Sequence, residues 1–217
     1  MNIYQELNNN NKNILLIFGG FASHPTHFKN FIPKNYDWIL VFNYQHLKFE
    51  ILNNLLSSLQ DKTFHLFAFS MGVWAANLFL NSTQCPLKFA SKTAINGTEY
   101  GIDETYGIHP KLFALTQKRF NLESFKNNLF GEHLPKTQNF IFLEESLLKK
   151  ELQFFLDHRK IIENQFPWDR VIISLKDEVF FTEIQENFWH YKGYQNQISK
   201  IQAPHFVFFD WEFYAKI

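Results

Sequence analysis

The chain has 217 residues, 21 acidic and 21 basic side chains and one cysteine, Cys85. Balanced charge without a long basic run argues against nucleic acid as the main partner. No apolar run approaches the roughly 20 residues a membrane span needs, and a single cysteine excludes an internal disulfide framework. No charged and apolar leader precedes the first element, so a reducing cytoplasm is the expected address and one domain the expected organisation. The 27 phenylalanines must largely fill a core, because each buries a large area.

After a polar start containing "NNNNK", the run "ILLIF" (14–18) reads as a buried strand that ends in "GGFAS". "WILVFNY" (38–44) is a second strand, "LKFEILNNLLSSL" (47–59) an amphipathic helix and "FHLFAF" (64–69) a third strand. A helix starts at Met71, and "KTAIN" (92–96) is a fourth strand closed by Gly97. Residues 98–165 turn helical and polar-aromatic without a convincing strand, "RVIISL" (170–175) resumes the sheet, and a helix near 182–191 and a strand near 196–202 complete it. Strands alternating with helices imply an α/β fold: a mostly parallel sheet, helices on both faces, and a small helical cap over 98–165, inserted after the strand ending near Asn96.

In such a sheet the carboxyl ends of the strands form the functional edge. Ser70 sits there in "AFSMG", where a nucleophile elbow requires small residues two before and two after the serine, here Ala68 and Gly72. An ordinary strand-turn-helix with Ser70 as N-cap is the bland alternative. An acid and a histidine should follow in that order. Asp177 follows "RVIISL" and His205 lies in "APHF" after the last strand, in the correct order. Asp177 as a turn residue and His205 as a core histidine are the alternatives. Glu178 is the fallback acid; Asp169 precedes its strand and Asp210 comes after the histidine. The backbone N–H groups of Phe21, in the glycine loop, and Met71, at the helix start, are the expected oxyanion donors. The remaining histidines lack metal-ligand spacing, so neither a metal nor another cofactor is expected.

The segments "FSMGVWAA", "TAINGTEYGIDETYGIHPKLFALT", "DEVFFTEIQENFW" and "APHF" together resemble the BioG-type pimeloyl-[acyl-carrier protein] methyl ester esterases of biotin synthesis, which are α/β-hydrolases. The resemblance runs from "FGGF" to "APHF", and the segment after the fourth strand is its most particular part. It implies that Ser70, Asp177 and His205 are nucleophile, acid and base. The implied substrate is a methyl-capped seven-carbon diacid thioesterified to acyl carrier protein, and the methyl ester is cleaved while the thioester is spared. The family usually has Trp where this chain has Phe21 and Phe69, and Gly where it has Ala22.

Lys111, Lys118, Arg119 and Lys126 recur at spacings that align some of them on a helical face and form a candidate docking patch for the acidic carrier; ordinary solvated helix faces are the alternative. The competing functions are an acyl thioesterase or broad short-chain carboxylesterase on the same fold, and a non-catalytic hydrolase-like binding protein.

Overall fold

The structure is a computed structural model that describes residues 1–8, 11–82, 87–163 and 165–211; Cys85 and part of the asparagine run lie outside the described residues. The strands are β1 (Asn2–Glu6), β2 (Asn13–Phe18), β3 (Tyr36–Phe42), β4 (Thr63–Phe69), β5 (Phe89–Ile95), β6 (Arg170–Ser174) and β7 (Ile198–Ile201). The helices are α1 (Pro25–Phe28), α2 (Glu50–Ser57), α3 (Met71–Leu80), α4 (Pro110–Lys118), α5 (Leu122–Phe130), α6 (Glu145–Asp157) and α7 (Thr182–Tyr191). The strands form one sheet in the order β1-β3-β2-β4-β5-β6-β7. It is parallel except for β1, which runs antiparallel along β3.

Strand β1 falls within what the sequence presents as a polar start. It pairs with β3 alone and is mostly exposed, so its residues lack the apolar run that marks the buried strands. The short helix α1 was also not expected. Other boundaries move by a few residues: β3 begins at Tyr36 and ends at Phe42, α2 occupies only the middle of 47–59, and β5 begins at Phe89. Helix α3 starts at Met71 as expected and is buried on every side. Between Ile95 and Arg170 the described residues contain α4, α5, a 3-10 turn over Gly131–Thr137 and α6, but no strand.

Alternate residues of the strands feed two apolar layers. Ile14, Leu16 and Phe18 of β2 face one layer with Leu66, Val73 and Phe79, which α2, α3, α6 and α7 cover. Leu15 and Ile17 face the other, with Leu40, Phe69 and Ile172, which is closed by a cluster of phenylalanine rings from α1, α5 and the turn at Val207–Phe209. Phe206, for example, packs against Phe28, Phe69 and Phe130 with ring centroids 5.3–6.0 Å apart. Much of the phenylalanine therefore serves the core.

The register sets the functional edge. Phe18 of β2 is level with Val41 of β3 and Ala68 of β4, Ala68 with Ala94 of β5, and Ala94 with Val171 of β6. The loops leaving β2 to β6 thus emerge together. Among the described residues, the non-glycine positions of positive φ are Ala22 (61°), Asn43 (50°), Ser70 (57°) and Asn96 (48°), in the turns that leave β2, β3, β4 and β5. Backbone strain of this kind persists only where surrounding contacts enforce it, and here it is concentrated along one edge.

Candidate active site

Ser70 follows β4 directly, with φ 57° and ψ −127°. Its N–H donates to the Ile95 carbonyl of the neighbouring strand at 2.8 Å, and its own carbonyl accepts the Val73 N–H at 2.9 Å, which forces the sharp reversal into α3. The helix start is pressed onto β2: a Cβ on Gly72 would stand 2.0 Å from the Phe18 carbonyl oxygen. The loop after β2 closes from the other side, and a Cβ on Gly20 would meet the Ser70 Cβ at 2.7 Å. The serine side chain makes no capping bond to α3, which removes the main support for its being a plain N-cap.

Asp177 and His205 meet. His205 Nδ1 lies 2.7 Å from Asp177 Oδ2, and both residues are buried. Asp177 Oδ1 accepts the N–H groups of Val179 and Phe180 at 2.9 and 2.7 Å, and Gln185 Nε2 donates to Oδ2 at 3.1 Å. A carboxylate can only accept, so in the neutral imidazole the proton sits on Nδ1 and Nε2 is left with a lone pair. Asp177 is therefore a turn residue as well as the partner of the histidine. His205 is fixed from behind, because Asn96 Nδ2 donates to its carbonyl and to Ser174 Oγ while Asn96 Oδ1 accepts the Ser174 N–H at 2.7 Å.

Ser70, Met71, Phe21 and His205 all border one cavity of about 300 Å³. Its remaining lining is mainly apolar, with Phe69 from the sheet edge and Ile108, Leu112, Phe125 and Leu152 from the helical segment. The volume lies at the lower end of small-ligand pockets. As the first residue of α3, Met71 has an N–H with no intrahelical acceptor, at the positive end of the helix dipole. The Phe21 ring packs edge-on against Phe120 and Phe125, 5.3 and 5.0 Å away, which ties the glycine loop to the helical segment.

The other acids stand apart. Glu178 is exposed at the cavity rim and Asp210 bonds His133 at 2.8 Å. Asp169 accepts the Lys92 N–H at 2.7 Å just before β6, at the opposite edge of the sheet. The basic set does not form one row: Lys111 and Lys118 are exposed on α4 and Arg119 follows its end, but Lys126 belongs to α5. Lys126 pairs with Glu123 at 2.8 Å and lies over the Phe142 ring at 5.2 Å. Among the described residues no group of three or more His, Cys, Asp or Glu is arranged to hold a metal ion, and no helix is long and apolar enough to cross a membrane.

Sequence reading missed Asn96, Gln185 and Glu151. Glu151, fully buried on α6, accepts backbone N–H groups from Ala22 and Tyr44. Its signal was present: Leu148, Glu151, Leu152 and Phe155 fall at helical spacing on one buried face, where a glutamate is out of place.

Comparison with known proteins places these features. BioG from Haemophilus influenzae, a crystal structure, matches with a TM-score of 0.78 at 24% identity, over 96% of this chain and 95% of that one. MGS-M2, an α/β-hydrolase enzyme from a Medee basin deep-sea metagenome library, matches with a TM-score of 0.61 at 15% identity, over 94% and 88%. The fold is that of the α/β-hydrolases. A Bacteroides fragilis (strain 638R) protein named malonyl-[acyl-carrier protein] O-methyltransferase is 31% identical over 203 residues, 90% of this chain, and the match spans only 40% of that relative's length. The sequence profile of the family described as pimeloyl-ACP methyl esterase BioG matches residues 2–217, and the chain belongs to that family.

Proposed function

We propose that the protein is a serine carboxylesterase of biotin synthesis that hydrolyses the methyl ester of pimeloyl-[acyl-carrier protein] methyl ester, releasing methanol and leaving the thioester intact. The observation that carries this reading is the convergence on one narrow apolar cavity of Ser70, in a strained turn at a helix start, and the buried His205–Asp177 pair. The family supports the substrate. The B. fragilis relative's name describes placing a methyl on an acyl-carrier-bound acid, which is the group this reaction removes.

In this reading His205 Nε2 takes the Ser70 proton as Oγ attacks the ester carbonyl. Asp177 holds the imidazole tautomer and stabilises the imidazolium. The Phe21 and Met71 N–H groups bind the tetrahedral oxyanion, a contribution of about 10²–10³ in turnover per donor in comparable sites. Imidazolium then protonates the departing methoxide, and water attacks the acyl-enzyme by the same route, regenerating the serine. Residues 98–165 act as the cap of a single domain and supply the wall that selects a thin chain. Lys111, Lys118 and Arg119 are the exposed candidates for contact with the acidic carrier; Lys126 is the weakest of the four because Glu123 already engages it.

The test is complementation of a biotin-requiring strain that lacks its own esterase for this step. The native chain should restore growth without biotin and Ser70→Ala should not. Rescue by both, or by neither when both are expressed, contradicts the reading. A thioesterase on the same fold would instead release free acid from the carrier.

A further inference from the structure

Glu151 shares the buried face of α6 with Leu148, Leu152 and Phe155. Its Oε1 accepts the Tyr44 N–H at 2.8 Å and its Oε2 the Ala22 N–H at 3.1 Å. These amides belong to the turns leaving β3 and β2, 22 being itself a positive-φ position and 44 following one. The Tyr44 hydroxyl extends the connection by donating to the Gly19 carbonyl at 3.0 Å. The loop from Gly19 to Ala22 is thus gripped at both ends, with Gly20 and Phe21 between the two contacts.

Packing alone does not explain a glutamate here. Burial pushes its carboxyl up to about 7, so the charged form is disfavoured where it stands. A leucine or methionine at the same place on α6 would fill the space without that desolvation cost. What the carboxylate supplies, and an apolar side chain cannot, is two directed acceptors for amides in separate turns.

We propose that Glu151 is a positioning residue for the reaction: through Ala22 and Tyr44 it fixes the direction of the Gly20–Phe21 amide relative to Ser70. The inference rests on the reading of the Phe21 N–H as an oxyanion donor. It also makes α6 a coupling element, since Leu152, the next residue, lines the cavity. The helix that shapes the acyl site therefore also holds the donor loop.

Glu151→Gln keeps the size of the side chain but turns an amide N–H toward one of the two backbone N–H groups, so one bond is lost. Measured on pimeloyl-[acyl-carrier protein] methyl ester, it should lower kcat about 10- to 100-fold with KM within about threefold, the pattern of a transition-state contact. Affinity for n-butylboronic acid, whose serine adduct imitates the tetrahedral oxyanion, should fall by a similar factor. Tyr44→Phe leaves the Glu151 bonds in place and should give a smaller loss with the same split. Unchanged kcat and boronate affinity in folded Glu151→Gln overturns the proposal. So does a loss confined to KM, or one that only follows the folded fraction. Should Glu151→Gln not fold, Glu151→Asp decides, since its shorter side chain withdraws both oxygens from the Ala22 and Tyr44 amides: no change in kcat or boronate affinity overturns the proposal. Full activity of Ser70→Ala would instead overturn the esterase reading itself, so the two failures are distinguishable.

Discussion

One wall of the cavity, the carboxyl edge of the sheet, is made of strained turns and buried hydrogen bonds, whereas the facing wall, from α4, α5 and α6, is mainly apolar side chains, with Thr116 and Asn128 as polar members. On the first wall the acid and its supports have fixed partners: Asp177 accepts from two backbone amides, Gln185 and His205, and Asn96 joins β6 to the His205 loop. On the second wall, rings and aliphatic groups such as Phe125 and Leu112 can be exchanged without stranding a buried polar atom. The contrast separates two tasks. In the proposed reaction, atom placement for proton transfer falls to the sheet edge and selection of chain shape to the helices. Polar contacts that bridge the two sides include Glu151 to the loop after β2, the Phe206 N–H to the Leu129 carbonyl at 2.8 Å and His27 Nε2 to the Ile141 carbonyl at 2.8 Å.

The comparison breaks most sharply at the sheet edge. Ser70→Ala should reduce ester hydrolysis by at least about 10³-fold with little change in thermal midpoint, read by methanol release. Asp177→Asn should cost about 10²–10⁴ in kcat, because the amide cannot accept the Nδ1 proton as a carboxylate does and favours the wrong tautomer. Its unfolding midpoint should also fall, since an amide that keeps its oxygen on the Val179 and Phe180 N–H groups turns its own N–H toward Gln185 Nε2, a donor that now has Oδ2 as acceptor.

Changes on the helical wall should be milder and should alter preference more than rate. Leu112 lines the cavity yet is partly exposed, so Leu112→Ala should raise KM for the seven-carbon substrate about 3- to 10-fold and narrow its advantage over shorter methyl esters. A uniform fall in kcat for all chain lengths would blur the division between the walls.

The bridge at His27 predicts a pH dependence of stability rather than of chemistry. Burial holds its imidazole down to about 3, against 6.5 in the unfolded chain, with a smaller contribution from His24. The folded state therefore prefers the neutral ring. The contribution is complete above pH 6.5 and is progressively lost as pH falls toward 3. Glu151 works in the opposite direction: its raised pKa favours the folded state below 4.5 and loses that advantage as pH climbs toward 7. His27→Gln should therefore lose less stability than the native chain between pH 6.5 and pH 4.5, by urea unfolding at each pH. Parallel curves for the two proteins would contradict the assignment. The smallest effect is expected from Lys118→Glu with Arg119→Glu, both exposed and outside the cavity lining. It should weaken use of the carrier-bound substrate while leaving a free methyl ester unaffected, and the weakening should fade as salt is raised.

Much of the sheet edge was legible in the amino-acid sequence because its requirements are local. "ILLIF" and "FHLFAF" are apolar runs of strand length, and "AFSMG" carries the small residues the turn needs. The order Ser70, Asp177, His205 could be read without knowing a distance. The β1 strand could not, because an edge strand exposed on most of its length has no apolar signature. Glu151 and Asn96 were passed over for another reason. Each acts on backbone groups far away in the chain, 129 residues from Glu151 to Ala22 and 109 from Asn96 to His205, and pattern reading attends to side-chain types at short spacing. The Lys111 to Lys126 spacing allows a shared helical face for some of the four, and the turn at Arg119–Asn121 puts Lys126 on a different helix from Lys111 and Lys118.

Methyl ester hydrolysis is read most directly by incubating the protein with pimeloyl-[acyl-carrier protein] methyl ester and weighing the intact carrier by mass spectrometry. The native protein should leave a carrier that still bears the seven-carbon acyl group but has lost one CH₂ in mass, with one methanol released per carrier and no change with Ser70→Ala. A carrier stripped of its acyl group, or one left unchanged by the native protein, would contradict the proposed reaction.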